Sequence, residues 1–316
     1  MEKNPTLERL SWLREEISRL KKEKNALIMA HYYQRDEIQE IADFIGDSLA
    51  LARQAAKTDA DIIVMCGVHF MGETAKILSP EKKVLIPDTE AGCSLADSCN
   101  PEEFEKFVKE HPDHTVISYV NTSAAVKALT DIVVTSGNAR QIVEQLPEDE
   151  KIIFGPDKNL GEYINSVTGR KMLLWDGACH VHDRFSLEKI AQMKKEHPGA
   201  KVLVHPECRR PLQLIADKVG STAALLDFAA KDDSKEYIVV TESGILFEMK
   251  KKCPEKIFLA APADDAECQC NECNFMKLNT LEKVYSCLRD EKHEITVDPL
   301  IAEKAVRPIE RMLAMS

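Results

Sequence analysis

MAHYYQ (Met29–Gln34), SYVNTS (Ser118–Ser123) and VHPECR (Val204–Arg209) are three strand ends that superpose. Their anchors His31, Tyr119 and His205 are separated by 88 and 86 residues. Two residues after each anchor stand Tyr33, Asn121 and Glu207. Seventeen after each stand Ser48, Ser136 and Thr222, in GDSLA, TSGNA and GSTAA, each opening a helical stretch. The next apolar runs, DIIVMCG, KIIFGP and EYIVVT, fall in the same register, and so do KKVLIP, KMLLWD and KIFLAAP. A fixed period of this kind marks one supersecondary unit used several times.

Between the apolar runs lie helical patterns such as EIQEIADFIG, AAVKALT, ARQIVEQL and LEKIAQMKKEH. Alternation of short, continuously apolar strands with helices predicts an α/β protein with parallel sheets. Length alone would predict two domains, but the repeat divides the chain differently. It predicts an N-terminal helix over 1–25, a first α/β repeat over 26–112 joined by a C-terminal helix at 295–316, a second over 113–199 and a third over 200–294. In parallel sheets, ligands bind beyond the carboxyl ends of strands, and helix starts there attract anions. Three Rossmann-like units around a pseudo-threefold axis would bring all these positions to one central site.

Lys and Arg total 42 against 53 Asp and Glu, a net charge of −11. That balance argues against a surface built for nucleic acid or anionic lipid. The N-terminus is charged from its second residue and lacks an apolar signal core, and no run approaches the ~18 apolar residues of a membrane helix. The expected compartment is the cytoplasm. There, clustered cysteines bind metal or do chemistry more often than they form disulfides.

Ten cysteines are present, and each repeat closes with one or more. Cys93 follows KKVLIPDTEAG, Cys179 follows KMLLWDGA, and Cys268, Cys270 and Cys273 follow KIFLAAPADDAE. The repeat favours one ligand from each unit: Cys93, Cys179 and one of the last three. Three thiolates on a four-iron cluster leave one iron open as a Lewis acid. Cys66, Cys253 and Cys287 read as core residues, Cys99 as a spare thiol, and Cys208 as structural.

The strings AHYYQ, GDSLALARQA, MCGVHFMGETAKIL, YVNTSAAVKA, FGPDKNLGEY, GACHVHDRF, VHPE and VGST resemble the quinolinate synthase family, from about Ala30 to Met312. The resemblance implies a triangular three-domain α/β fold with a central [4Fe–4S] cluster on three cysteines. It implies condensation of iminoaspartate with dihydroxyacetone phosphate to quinolinate, phosphate and two waters, in NAD biosynthesis. The family's ligands fall on Cys93, Cys179 and Cys273. Relatives often carry C-x2-C-x2-C where this chain has C-x-C-x2-C, and a Cys268–Cys270 disulfide at that spacing would be strained.

By the same resemblance, Ser48, Ser136 and Thr222 bind substrate anions, with His31 and His205 nearby. A hydroxyl beside the orphan N–H groups of a helix start suits that task, although it equally suits an ordinary helix cap. Tyr33 and Glu207 are the proton-transfer candidates, burial being expected to raise the pKa of Glu207. Tyr119 and Asn121 are expected to orient substrate at the catalytic centre, and His180, next to Cys179, to hydrogen-bond near the cluster. Glu242 in VVTESG is a weaker site candidate. A transient contact with the enzyme supplying iminoaspartate is a further expectation. The competing classes are another iron–sulfur hydro-lyase, and a non-catalytic zinc protein using Cys268, Cys270 and Cys273.

Overall fold

A computed structural model describes residues 5–264 and 271–316. Twelve strands form three four-stranded sheets among the described residues, every strand pair parallel. The first sheet contains β1 (Ala26–His31), β2 (Phe44–Gly46), β3 (Ile62–Cys66) and β4 (Lys83–Leu85). The second contains β5 (Thr115–Tyr119), β6 (Ile132–Val134), β7 (Ile152–Gly155) and β8 (Leu173–Leu174). The third contains β9 (Lys201–Val204), β10 (Lys218–Val219), β11 (Glu236–Val240) and β12 (Ile257–Ala260). Each sheet has the same order, second strand, first, third, fourth. The connections therefore reverse direction between first and third strands, the place where open α/β sheets bind ligands.

The central strands are continuous apolar runs because helices cover both faces of a parallel sheet; Ile62–Cys66 and Ile152–Gly155 are buried throughout. The predicted three-repeat α/β reading is the fold observed. Two edge strands go beyond it. Phe44–Gly46 was expected to continue the helix EIQEIADFIG, but that helix ends at Ile41 and Asp43 turns the chain into β2. The Asp43 carboxylate accepts the Ile28 N–H at 2.9 Å. Asp131 and Asp217 do the same for Val116 and Val202, both at 2.8 Å, in the other two sheets. β10 is only two residues long, too short for periodicity to register.

The chain divides into two compact units. Unit one comprises Met1–Cys93 and Asn274–Ala302. Its core joins Leu13, Ile17 and Leu20 of the N-terminal helix Pro5–Glu23 to Ile28, Val64 and Leu85 of the sheet. Leu281, Val284 and Leu288, on the amphipathic helix Leu281–Asp290, complete that core. Asn274–Ala302, placed by the repeat partly in the third segment, 200–294, groups with the first sheet.

Unit two comprises Ser94–Cys273 and Glu303–Ser316, and holds the second and third sheets. The C-terminal helix Pro299–Ala314 was expected to close over the first repeat; most of it belongs here instead. Helix ends leave carbonyls unsatisfied, and the side-chain amides of Gln141 and Gln145 donate to the Met315 carbonyl at 3.2 and 2.9 Å. No helix among the described residues is long and apolar enough to cross a membrane.

Candidate active site

Strand pairing fixes which residues of the three repeats correspond. Leu27 pairs with Ile63, Thr115 with Ile152 and Lys201 with Tyr237, each four residues before an anchor. Counting on from the third strands, Val68, Asp157 and Glu242 are equivalent. The next residue in each repeat donates its N–H to a distant carbonyl: His69 to Ala91 at 2.7 Å, Lys158 to Gly177 at 2.8 Å, Ser243 to Asn271 at 3.3 Å. Cys93, Cys179 and Cys273 stand two residues beyond those carbonyls. Strand register thus singles out Cys273 as the structural counterpart of Cys93 and Cys179; Cys268 and Cys270 lie outside the described residues.

Burial separates the same three. Cys93, Cys179 and Cys273 are partly exposed, whereas Cys66, Cys99, Cys208, Cys253 and Cys287 are buried. Burial pushes the Cys99 and Cys287 thiols up to about 12 and raises Cys66 and Cys208 as well. Such thiols are poor ligands, because metals bind the thiolate. The donor chemistry fits an iron–sulfur cluster, whose protein ligands are thiolates.

Cys179 and Cys273 also approach one strand end. His182, on the 3-10 turn His182–Arg184, places Nδ1 3.3 Å from Cys179 Sγ and Nε2 2.9 Å from Thr241 Oγ1. The backbone N–H of Cys273 donates to Glu242 Oε1 at 3.1 Å. Thr241 and Glu242 directly follow β11.

Glu207 is the hub of unit two. Its Oε2 lies 2.9 Å from His182 Nδ1, and its Oε1 accepts the phenol of Tyr119. Asn159 Nδ2 donates to its carbonyl at 3.1 Å. The His205 and His182 rings stack with centroids 4.5 Å apart, and His205 Nε2 lies 3.3 Å from Ser136 Oγ. Desolvation alone would raise the Glu207 carboxyl, as the sequence led us to expect. His182, His205 and the Tyr119 hydroxyl outweigh it and hold the carboxyl down at about 2. The raised carboxyl is Asp157, pushed up by full burial and by the negative charge of Glu207.

The anchors share a local device. The Glu207 N–H donates to His205 Nδ1 at 3.4 Å, and the Tyr33 N–H to His31 Nδ1 at 3.2 Å. Either imidazole can then present a donor at Nε2. In unit one, Tyr33 is buried edge-on against His31, and its carbonyl accepts Lys277 Nζ at 2.8 Å.

Ser48 and Thr222 are first helical residues, not caps. Asp47 and Ser221 before them accept from Ala50 and Ala224. Ser136 follows the equivalent Thr135, whose Oγ1 accepts the Gly137 N–H at 3.2 Å. Capping thus falls to the preceding residue in the first and third repeats. Asn121 Oδ1 is buried and has no hydrogen-bond partner among the described residues, a state uncommon enough in native proteins to call for a cause. Lys127, itself fully buried, braces that loop by donating to the carbonyls of Val120, at 2.8 Å, and Thr122.

His180 Nδ1 lies 2.5 Å from the hydroxyl of Ser94, the residue after Cys93. His182, Thr241, Asp157 and Asn159 were not foreseen. The i+3 spacing of His182 from Cys179, and the equivalence of Asp157 with Glu242, were the available signals.

A family model described as Quinolinate synthetase A protein matches residues 15–314. The chain belongs to the quinolinate synthetase A family. Relatives named quinolinate synthase include those of Chloroherpeton thalassium, 56% identical over 96% of this chain and 94% of its own length. That of Microcystis aeruginosa is 56% identical over 95% and 94%, and that of a Synechocystis strain 55% identical over 95% and 94%. As a quinolinate synthetase A family member, the chain is an enzyme.

Proposed function

We propose that this enzyme condenses iminoaspartate with dihydroxyacetone phosphate in the cytoplasm, giving quinolinate, phosphate and two waters, with a [4Fe–4S] cluster held by Cys93, Cys179 and Cys273. The observation that carries this reading is the equivalence of those three cysteines, the partly exposed ones among the described residues. The bound cluster would supply a Lewis-acidic iron with one open position.

The chain's own residues bind substrate and move protons. Glu207, kept ionised by two imidazoles and a phenol, accepts protons. His182 links that carboxylate to the Thr241 hydroxyl and can carry a proton between them. Tyr119 is bonded to the same carboxylate and returns a proton to substrate when it donates elsewhere. Tyr33, at the repeat position of Glu207, is the proton-transfer phenol of unit one. Asn121 offers its buried carbonyl oxygen to the imine N–H or a substrate hydroxyl. Ser48, Ser136 and Thr222, with the Nε2–H groups of His31 and His205, receive phosphate and carboxylates. Helix starts hold anions without surplus lysine, which reconciles anionic substrates with a net charge of −11.

A second reading rests on Cys179, His182 and Glu207, whose ligand atoms lie within 4.8 Å of one another. Sulfur, imidazole and carboxylate together are a donor set for mononuclear zinc. Anaerobic purification followed by metal analysis and assay separates the readings. Equal iron and sulfide, with quinolinate from the two proposed substrates and no turnover of simple hydroxy acids, supports the synthase. A colourless zinc protein, or dehydration of hydroxy acids alone, overturns it.

A further inference from the structure

Two fully buried carboxylates have the same unusual pair of partners. Asp157 Oδ1 accepts the Leu160 N–H at 2.8 Å, capping the helix Lys158–Thr168, while Oδ2 accepts the Cys179 N–H at 3.2 Å. Glu242 Oε2 accepts the Gly244 N–H at 2.7 Å, while Oε1 accepts the Cys273 N–H at 3.1 Å. The two acids occupy the same repeat position, the second residue after the third strand of their sheets. Both are wholly inaccessible to solvent. In the first repeat that position is Val68, whose side chain has no acceptor.

We propose that Asp157 and Glu242 are positioning residues for the metal centre: each ties a ligand cysteine's peptide to the rigid end of a sheet. The inference rests on the reading of Cys179 and Cys273 as ligands. A buried carboxylate oxygen stripped of its donor bears its full desolvation cost. Swinging Cys179 or Cys273 away from the site strips one oxygen in this way, so both loops are held in place whether or not metal is bound. The Lys158 and Ser243 N–H bonds to Gly177 and Asn271 hold the same loops from the adjacent residue. Groups that orient metal ligands without touching the metal typically change metal affinity 10–100-fold when altered.

The test uses the full chain, reconstituted anaerobically with iron and sulfide. Iron loss to a chelator is followed through the visible absorption, and the thermal midpoint of the metal-free protein is measured alongside. Asp157→Ser keeps a cap for the Leu160 N–H but has no second oxygen for Cys179; Asp157→Asn serves if the serine variant folds poorly. Glu242→Gln leaves one acceptor for two donors. The expected result is iron loss about 10–100-fold faster in the Asp157 and Glu242 variants, at a temperature well below the midpoint of their metal-free protein. Wild-type iron-loss rates in both, while Cys179→Ala carries no cluster, overturn the inference and leave the ligand assignment standing. Faster loss only at temperatures where the metal-free variant is already unfolding also overturns it, since the acids then serve only the fold. A wild-type chain that takes up no iron overturns the ligand reading itself.

Discussion

His182 Nδ1 lies 2.9 Å from Glu207 Oε2, with both side chains buried. This pair joins the loop after the second sheet to the first strand end of the third. It makes Glu207 an anion where burial alone would have made it an acid.

Glu207→Gln removes the anion and should lower turnover by ~10²-fold or more, the usual scale of acid–base catalysis, while leaving cluster absorption intact. Tyr119→Phe tests the same network by pH. The phenol helps hold the Glu207 carboxyl down, so its removal raises that pKa. A base works only when deprotonated, so the acidic limb of the kcat profile should move to higher pH. An unmoved limb would take Glu207 out of the proton-transfer role.

Cys93→Ala, Cys179→Ala and Cys273→Ala should each abolish visible absorption and activity. Cys208→Ala removes a buried thiol close to the network in sequence and should keep the absorption. A Cys273→Ala protein with a full cluster, beside a Cys270→Ala protein with none, would contradict the register-based assignment.

A β-carbon on Gly177 would lie 2.5 Å from the Pro156 carbonyl oxygen, a backbone atom that cannot swing aside. The equivalent residues Ala91 and Asn271 carry side chains, so the demand is local to the second repeat. Gly177→Ala should displace the Cys179 loop and lower iron content per chain, with circular dichroism unchanged. Wild-type iron content would refute the tight approach.

The Glu291 carboxylate receives Lys24 and Lys83, both at 2.5 Å, and is lowered from 4.5 to about 2. For a depressed carboxyl the stabilisation is complete above the unfolded pKa and fades as pH falls through the folded one. The melting-temperature gap between wild type and Glu291→Gln should therefore be constant above about pH 4.5 and narrow toward pH 2. A gap independent of pH over that range would mean that the pair is not electrostatic.

Sequence periodicity carried the architecture because each repeat's third strand holds a run, such as Ile62–Cys66 or Tyr237–Val240, that is apolar throughout. It failed at Phe44–Gly46, where two apolar residues continued the helical spacing of Ile38 and Ile41 and hid a short edge strand. In the site, Tyr119, His205 and Glu207 were legible as strand-end residues and Ser136 as the repeat counterpart of Ser48 and Thr222, although its helix starts only at Ala139; the structure joins these four. His182 was not, because GACHVHDRF offers two histidines and only the turn at His182–Arg184 decides which ring meets Cys179. The charge state of Glu207 was inverted because its three partners come from segments remote in sequence or two residues away. No local reading sums their effect.

The most direct measurement is quinolinate formed from iminoaspartate and dihydroxyacetone phosphate by anaerobic protein at graded cluster loading. Quinolinate rate should rise in proportion to [4Fe–4S] content and vanish in the metal-free protein. Full rate without the cluster, or none from fully loaded protein, would contradict the account.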